Sequence, residues 1–145
     1  MSFITCSAKS ILEVPVFIQF PSKRRTYSLS KTALKIIPEY AEAHNNLGII
    51  LIEDRQLEEA IKRFEKSIAA DRNFIEAYNN LGNSFKEQGQ LDNAISCYQD
   101  ALAIDPNYSE ARNNLGNVEK ELGQIDKAIH SYESAIKQNP SFPEP

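Results

Sequence analysis

A period of 34 residues, kept three times without insertion or deletion, restricts this chain more than any other feature. The segments AEAHNNLGIILIEDRQLEEAIKRFEKSIAADRNF from Ala41, IEAYNNLGNSFKEQGQLDNAISCYQDALAIDPNY from Ile75 and SEARNNLGNVEKELGQIDKAIHSYESAIKQNPSF from Ser109 align residue for residue. A period of this length marks stacked supersecondary units, none of which can bury its apolar face alone. In the second unit Ala77, Tyr78, Leu81, Gly82 and Phe85 recur at helical spacing, and Leu91, Ala94, Ile95, Tyr98, Ala101 and Leu102 form a second stripe. Gly89 ends the first helix, because glycine accepts the left-handed cap. Pro106 ends the second, because proline lacks a backbone donor and clashes inside a helix. The spacing therefore predicts an all-α chain of helical hairpins.

Small residues recur with the period. Gly48, Gly82 and Gly116 sit in mid-helix, where glycine costs about 1 kcal/mol against alanine. Their repetition predicts a neighbouring helix too close for a side chain, with Ala60, Ala94 and Ala128 opposite. Phe64, Tyr98 and Tyr132 are expected to fill the wider gaps. The departures carry expectations of their own. Arg55 stands where the other units have Gly89 and Gly123, which predicts a looser or strained first turn. Arg72 replaces the proline found at Pro106 and Pro140, so the helix ending near Ala70 is expected to run on. Glu119 weakens the apolar stripe of the third unit, and Arg112 replaces His44 and Tyr78.

Here the chain resembles the tetratricopeptide repeat family. The match rests on Leu81, Gly82, Phe85, Ala94, Tyr98, Ala101 and Pro106 and their equivalents one period away. The resemblance implies a right-handed α-α superhelix (a TPR solenoid) of three full repeats, residues 41–74, 75–108 and 109–142. A half-repeat precedes them at residues 28–40. Residues 1–27 form a non-repeat N-terminal arm in which VPVFIQF is either a short strand or an extended segment on the first unit. Residues 143–145 begin a repeat that is missing. The edge near Ile129, Tyr132 and Ile136 is then partly bare. Either the chain is a piece of a longer array, or that edge meets another molecule and offers a route to self-association.

Charge narrows the partners. Residues 1–37 hold six of the 16 basic residues and one of the 20 acidic ones, so they stand at +5 and the remainder at −9. An acidic body repels phosphate, which argues against a nucleic-acid partner. The cluster Lys23–Arg25 reads as a solvated boundary before the first helix. The apolar run from Ile11 to Phe20 is too short to span a bilayer, which needs about 20 residues, so no membrane partner is expected. Cys6 and Cys97 belong to no CxxC pair, and free thiols fit a reducing, cytoplasmic setting. His44 and His130 have no ligand neighbours at metal spacing, so neither metal nor cofactor is expected. No GxSxG, phosphate-binding glycine loop or HExxH is present, so the chain reads as no enzyme.

The candidate site is the face of each first helix that turns away from Leu47 and its equivalents. At 100° per residue this face carries Asn45, Asn46, Ile49 and Ile52, then Asn79, Asn80, Asn83 and Lys86, then Asn113, Asn114, Asn117 and Lys120. The resemblance implies that this surface lines a concave groove where extended peptides bind. Asparagine is a mediocre helix former, yet a carboxamide offers both donor and acceptor to a partner's main chain. The row Asn46, Asn80 and Asn114 looks like the asparagine ladder in the superhelical arm of O-linked N-acetylglucosamine transferase. The alternative is that these side chains bond to neighbouring helices or water. Ile49 and Ile52 form either a pocket for a ligand side chain or a seat for the N-terminal arm. Family modules that clamp the terminal carboxylate of chaperones carry Lys and Arg here, where this chain has Asn45, Ile49, Glu110 and Asn114. The expectation is a protein–protein scaffold holding an extended segment. The other reading is the substrate-recruiting arm of a larger enzyme such as a glycosyltransferase.

Overall fold

Seven α-helices and no strand make up residues 22–138, the part of the chain described by a computed structural model. They are α1 (Lys23–Ile36), α2 (Ala41–Glu53), α3 (Leu57–Ala70), α4 (Ile75–Glu87), α5 (Leu91–Ile104), α6 (Ser109–Glu121) and α7 (Ile125–Gln138). They fall into two units divided between Asp71 and Arg72. In the first unit α2 packs on both α1 and α3; in the second, α4 packs on α5, α5 on α6 and α6 on α7. The N-terminal run VPVFIQF and the segment from Asn139 onward lie outside the described residues.

No side chain caps the N-termini of α1 to α6. Such short helices owe their stability to packing of an apolar face rather than to end effects. In the first unit Ala43, Leu47 and Ile50 of α2 meet Ala60, Ile61 and Phe64 of α3, all buried. Ser67, fully buried on α3, donates its hydroxyl to the carbonyl of Ala41 at 2.8 Å. In the second unit Ala94, Tyr98 and Ala101 of α5 and Ala111, Leu115 and Val118 of α6 share one core.

The recurrent glycines have a different cause from the one the spacing suggests. A Cβ on Gly48, Gly82 or Gly116 would lie 2.4, 2.6 or 2.8 Å from a ring carbon of Phe64, Tyr98 or Tyr132. The ring itself fills the notch above the glycine, so these aromatics occupy the closest approach and not the wider gaps.

The turn after each first helix uses one geometry. Arg55, Gly89 and Gly123 have φ of 60°, 75° and 73°. The following N–H reaches back five residues, from Gln56 to Leu51, Gln90 to Phe85 and Gln124 to Glu119, at 2.8–2.9 Å. This is the left-handed C-terminal cap, and Arg55 adopts it at a steric cost of about 1–2 kcal/mol. Arg55→Gly should raise the unfolding free energy of the first unit by about 0.5–1 kcal/mol. The relieved strain is partly offset by the freer unfolded chain. A higher urea midpoint for the helical signal is the check.

Two expectations are corrected. The helix before Arg72 does not run on: α3 stops at Ala70, and Asp71 is extended with φ −142° and ψ 105°, like Asp105 at −130° and 101°. The N–H of Asp71 bonds to Ser67 as that of Asp105 bonds to Ala101, so the turn forms without proline. The preceding half-repeat helix begins at Lys23, not Ser28, so Lys23–Arg25 lie inside α1 rather than before it. Lys23 pairs there with Asp54 and, at 3.6 Å, with Glu53 of α2. Lys31 stacks its ammonium 4.6 Å from the Tyr27 ring centroid.

The unlike residues His44, Tyr78 and Arg112 do one job. His44 Nε2 lies 2.9 Å from the carbonyl of Pro38, the Tyr78 hydroxyl 3.2 Å from that of Arg72, and Arg112 Nη2 2.7 Å from that of Pro106. Each donates to the carbonyl six residues upstream and ties the inter-repeat turn to the next helix. A carbonyl only accepts, so His44 carries its proton on Nε2. Burial lowers the His44 pKa, and Arg63 and Lys66 lower it further, against the opposing bond to Pro38. The folded state therefore binds fewer protons than the unfolded chain, whose histidine titrates near 6.5. The stability His44 provides is complete above about pH 6.5 and falls as the pH drops below it. Unfolding midpoints at pH 5 and 7.5 should differ accordingly, and His44→Tyr should shrink the difference.

Candidate functional site

The exposed face of the first helices does not carry all the residues the helical angle assigns to it. Asn79 is 1% exposed and Asn45 5%, so both belong to the interior and not to an open surface. Asn46, Ile52, Asn80, Lys86, Asn113, Asn114 and Asn117 are half-buried, and Ile49, Asn83 and Lys120 are exposed.

In the second unit these residues form a connected network. Asn79 on α4 donates Nδ2 to Glu110 Oε1 on α6 at 2.8 Å. Asn114, one turn along α6, donates Nδ2 to Asn79 Oδ1 at 2.9 Å. The Tyr108 hydroxyl donates to Glu110 Oε2 at 3.1 Å. Burial pushes the Tyr108 pKa up, and the Glu110 carboxylate beside it pushes it further, so the hydroxyl stays a donor. Sequence reasoning placed Glu110 only where carboxylate-clamping modules carry Lys or Arg, and missed Tyr108. The pairs Tyr40–Glu42 and Tyr108–Glu110, each two residues apart and each hydrogen-bonded, were the signal available.

Asn83 and Asn117 are also committed, but to their own hairpins. The Tyr98 hydroxyl donates to Asn83 Oδ1 at 2.7 Å and the Tyr132 hydroxyl to Asn117 Oδ1 at 2.6 Å. Tyr98 is fully buried, and desolvation raises its pKa well above the usual phenol value. One period earlier the pair is Ile49 and Phe64. A ring without a hydroxyl is matched by a side chain without an acceptor.

The first unit presents its own site. Asn46 and Ile49 share a cavity of about 230 Å³ with Lys23, Thr26, Ile50 and Glu53, between α1 and α2. Ile52 does not line it. Its lining combines two isoleucines, a carboxamide and the Lys23–Glu53 ion pair. The exposed faces of α7 are of another kind: Ile125, Ile129 and Ile136 are 52, 49 and 43% exposed. Their counterparts Leu91, Ile95 and Leu102 pack against the core that α6 helps to form.

Among the described residues no group of three His, Cys, Asp or Glu side chains could hold a metal ion. No described helix is long and apolar enough to cross a membrane. Glu119 is buried and takes the Ser131 hydroxyl at 2.7 Å, so it serves the α6–α7 contact.

The comparisons with known proteins agree with the repeat. A family model described as TPR repeat matches residues 50–89 and 82–123, and models described as Tetratricopeptide repeat match residues 29–62 and 109–142. None of the curated proteins matches the chain. A crystal structure of MamA is similar at 21% identity, covering 92% of this chain and 78% of that one, with a TM-score of 0.78. A crystal structure of MamA protein gives 21%, 92%, 73% and 0.76. A MamA RS-1 ArsTM double mutant gives 23%, 82%, 67% and 0.71. At these identities the likeness speaks to the fold. With a 34-residue register, glycine notches filled by aromatic rings and matched repeat models over most of its length, the chain belongs to the tetratricopeptide repeat family.

Proposed function

We propose that the chain is a non-catalytic scaffold that holds an extended segment of another polypeptide on the asparagine-bearing faces of its first helices. The observation that carries this reading is Asn114, half-buried, with one end of its carboxamide anchored to Asn79 and the other accepting nothing from the described residues. Anchored carboxamides are suited to main-chain recognition, because they lose little freedom on binding and match the peptide group donor for acceptor. Asn46, beside the 230 Å³ cavity of the first unit, is a separate candidate contact with room for one side chain. The family supports a protein partner, and the acidic body supports a polypeptide over a nucleic acid.

Replacing Asn80 and Asn114 by alanine tests the reading. Retention on an immobilised pool of extended peptides should fall about tenfold, as expected for two lost hydrogen-bonding groups, while the helical circular dichroism is unchanged. Undiminished retention removes the asparagine face from the account. The second reading, a substrate-recruiting arm of a larger enzyme such as a glycosyltransferase, draws on the same resemblance to the asparagine row of that enzyme. It uses the same face and is separated by the full reading frame. The buried thiol of Cys97 supports a reducing, cytoplasmic location. The bare isoleucines of α7 support self-association as a secondary property.

A further inference from the structure

We propose that Asn79 and Glu110 are positioning residues that hold the Asn114 carboxamide in one orientation, so that its Oδ1 accepts a main-chain N–H of the bound polypeptide. This inference rests on the function proposed above and adds a selectivity to it.

The two ends of a carboxamide are nearly alike in shape, and only their bonding partners decide which way it lies. Here the choice is made in three steps. Glu110, as a carboxylate, can only accept, and Tyr108 fixes it by donating to Oε2 at 3.1 Å. Asn79 must therefore turn Nδ2 toward Glu110, at 2.8 Å. Its Oδ1 is then the acceptor that remains, and it takes Nδ2 of Asn114 at 2.9 Å. Asn79 is 1% exposed, so no water competes for it and reversal would set its oxygen against the carboxylate. The polarity imposed at Glu110 thus reaches Asn114, whose Oδ1 accepts no bond from the described residues. A residue that lacks an N–H at this rung, proline or an N-alkylated residue, leaves that oxygen unmet.

The full chain is offered two immobilised pools of random nine-residue peptides, one with ordinary amides and one N-methylated at alternate residues. Wild type should be retained about tenfold better by the ordinary pool, the worth of one to two hydrogen bonds. Asn79→Leu keeps the volume and removes the relay, and Glu110→Gln lets the relay reverse; each should bring the ratio toward one. In parallel, side-chain amide hydrogen exchange at Asn114, followed by NMR, should be slow in wild type and faster in Asn79→Leu. A merely structural role for Asn79 would change stability without moving the ratio. Equal retention of the two pools by wild type overturns the inference, as does an Asn79→Leu variant with unchanged ratio and unchanged exchange at Asn114. If neither pool is retained, the scaffold reading falls and the N–H assignment with it. If the ordinary pool binds without selectivity, only this inference falls.

Discussion

Tyr98→Ala should lower the unfolding free energy by about 3–5 kcal/mol, the range for removing a large aromatic from a core. Tyr98 is wholly buried in the core formed by Ala94, Ala101, Ala111, Leu115 and Val118. Its ring also occupies the notch over Gly82, so truncation opens a void between α4 and α5 that neither backbone can close. The Asn83 carboxamide loses its donor at the same time. Domains of this size are stable by only 5–15 kcal/mol in general, so the loss should leave the second unit marginal near body temperature. Urea titration followed by circular dichroism measures it. Tyr98→Phe separates the two contributions: it keeps the ring, forfeits the bond to Asn83 and should cost about 1 kcal/mol. If Tyr98→Ala costs less than Tyr98→Phe, the packing account is wrong.

The second large effect changes sign with its background. Gly82→Ala in the wild-type chain should destabilise by about 1–2 kcal/mol, even though alanine is the better helix former by about 1 kcal/mol. The new Cβ would lie 2.6 Å from Tyr98 Cε1 and 2.9 Å from Cδ1. That ring is buried on every side and held at its hydroxyl, so the strain falls in the 1–3 kcal/mol range of overpacked cores, or somewhat above it. In the Tyr98→Ala background the obstruction is gone. There the same substitution should stabilise by about 1 kcal/mol, the propensity gain alone. A double-mutant cycle on the two positions reads the difference as a coupling energy. Additive behaviour would show that ring and glycine are not in contact in solution.

The helices, their turns and the family were legible in the sequence because a repeat supplies three aligned copies of each position. Spacing then separates buried positions such as Leu81 and Ala94 from exposed ones such as Glu76. The chain direction of a side chain is less than its surroundings, however. Asn79 leaves its helix on the side away from Leu81 yet is buried, because Glu110 and Asn114 on α6 close over it. No single-helix angle contains that neighbour. The start of α1 was missed for another reason: Lys23–Tyr27 are in register with Leu57–Ile61 but carry three consecutive basic residues and a threonine where that helix has Leu57 and Ala60. The early end of α3 was missed because Arg72 hides a turn whose geometry is fixed by Asp71 rather than by proline.

The matching of Asn83 with Tyr98, Asn117 with Tyr132 and Ile49 with Phe64 bears on how such a chain is altered by mutation. The outward position and the ring beneath it vary as a couplet, so an amide on the surface presupposes a phenol inside. A lone Asn83→Ile strands a sheltered hydroxyl, and a lone Phe64→Tyr introduces one with no acceptor. Surface chemistry at these places is thus tied to the interior, and redesign of this face would advance by paired exchanges rather than one residue at a time.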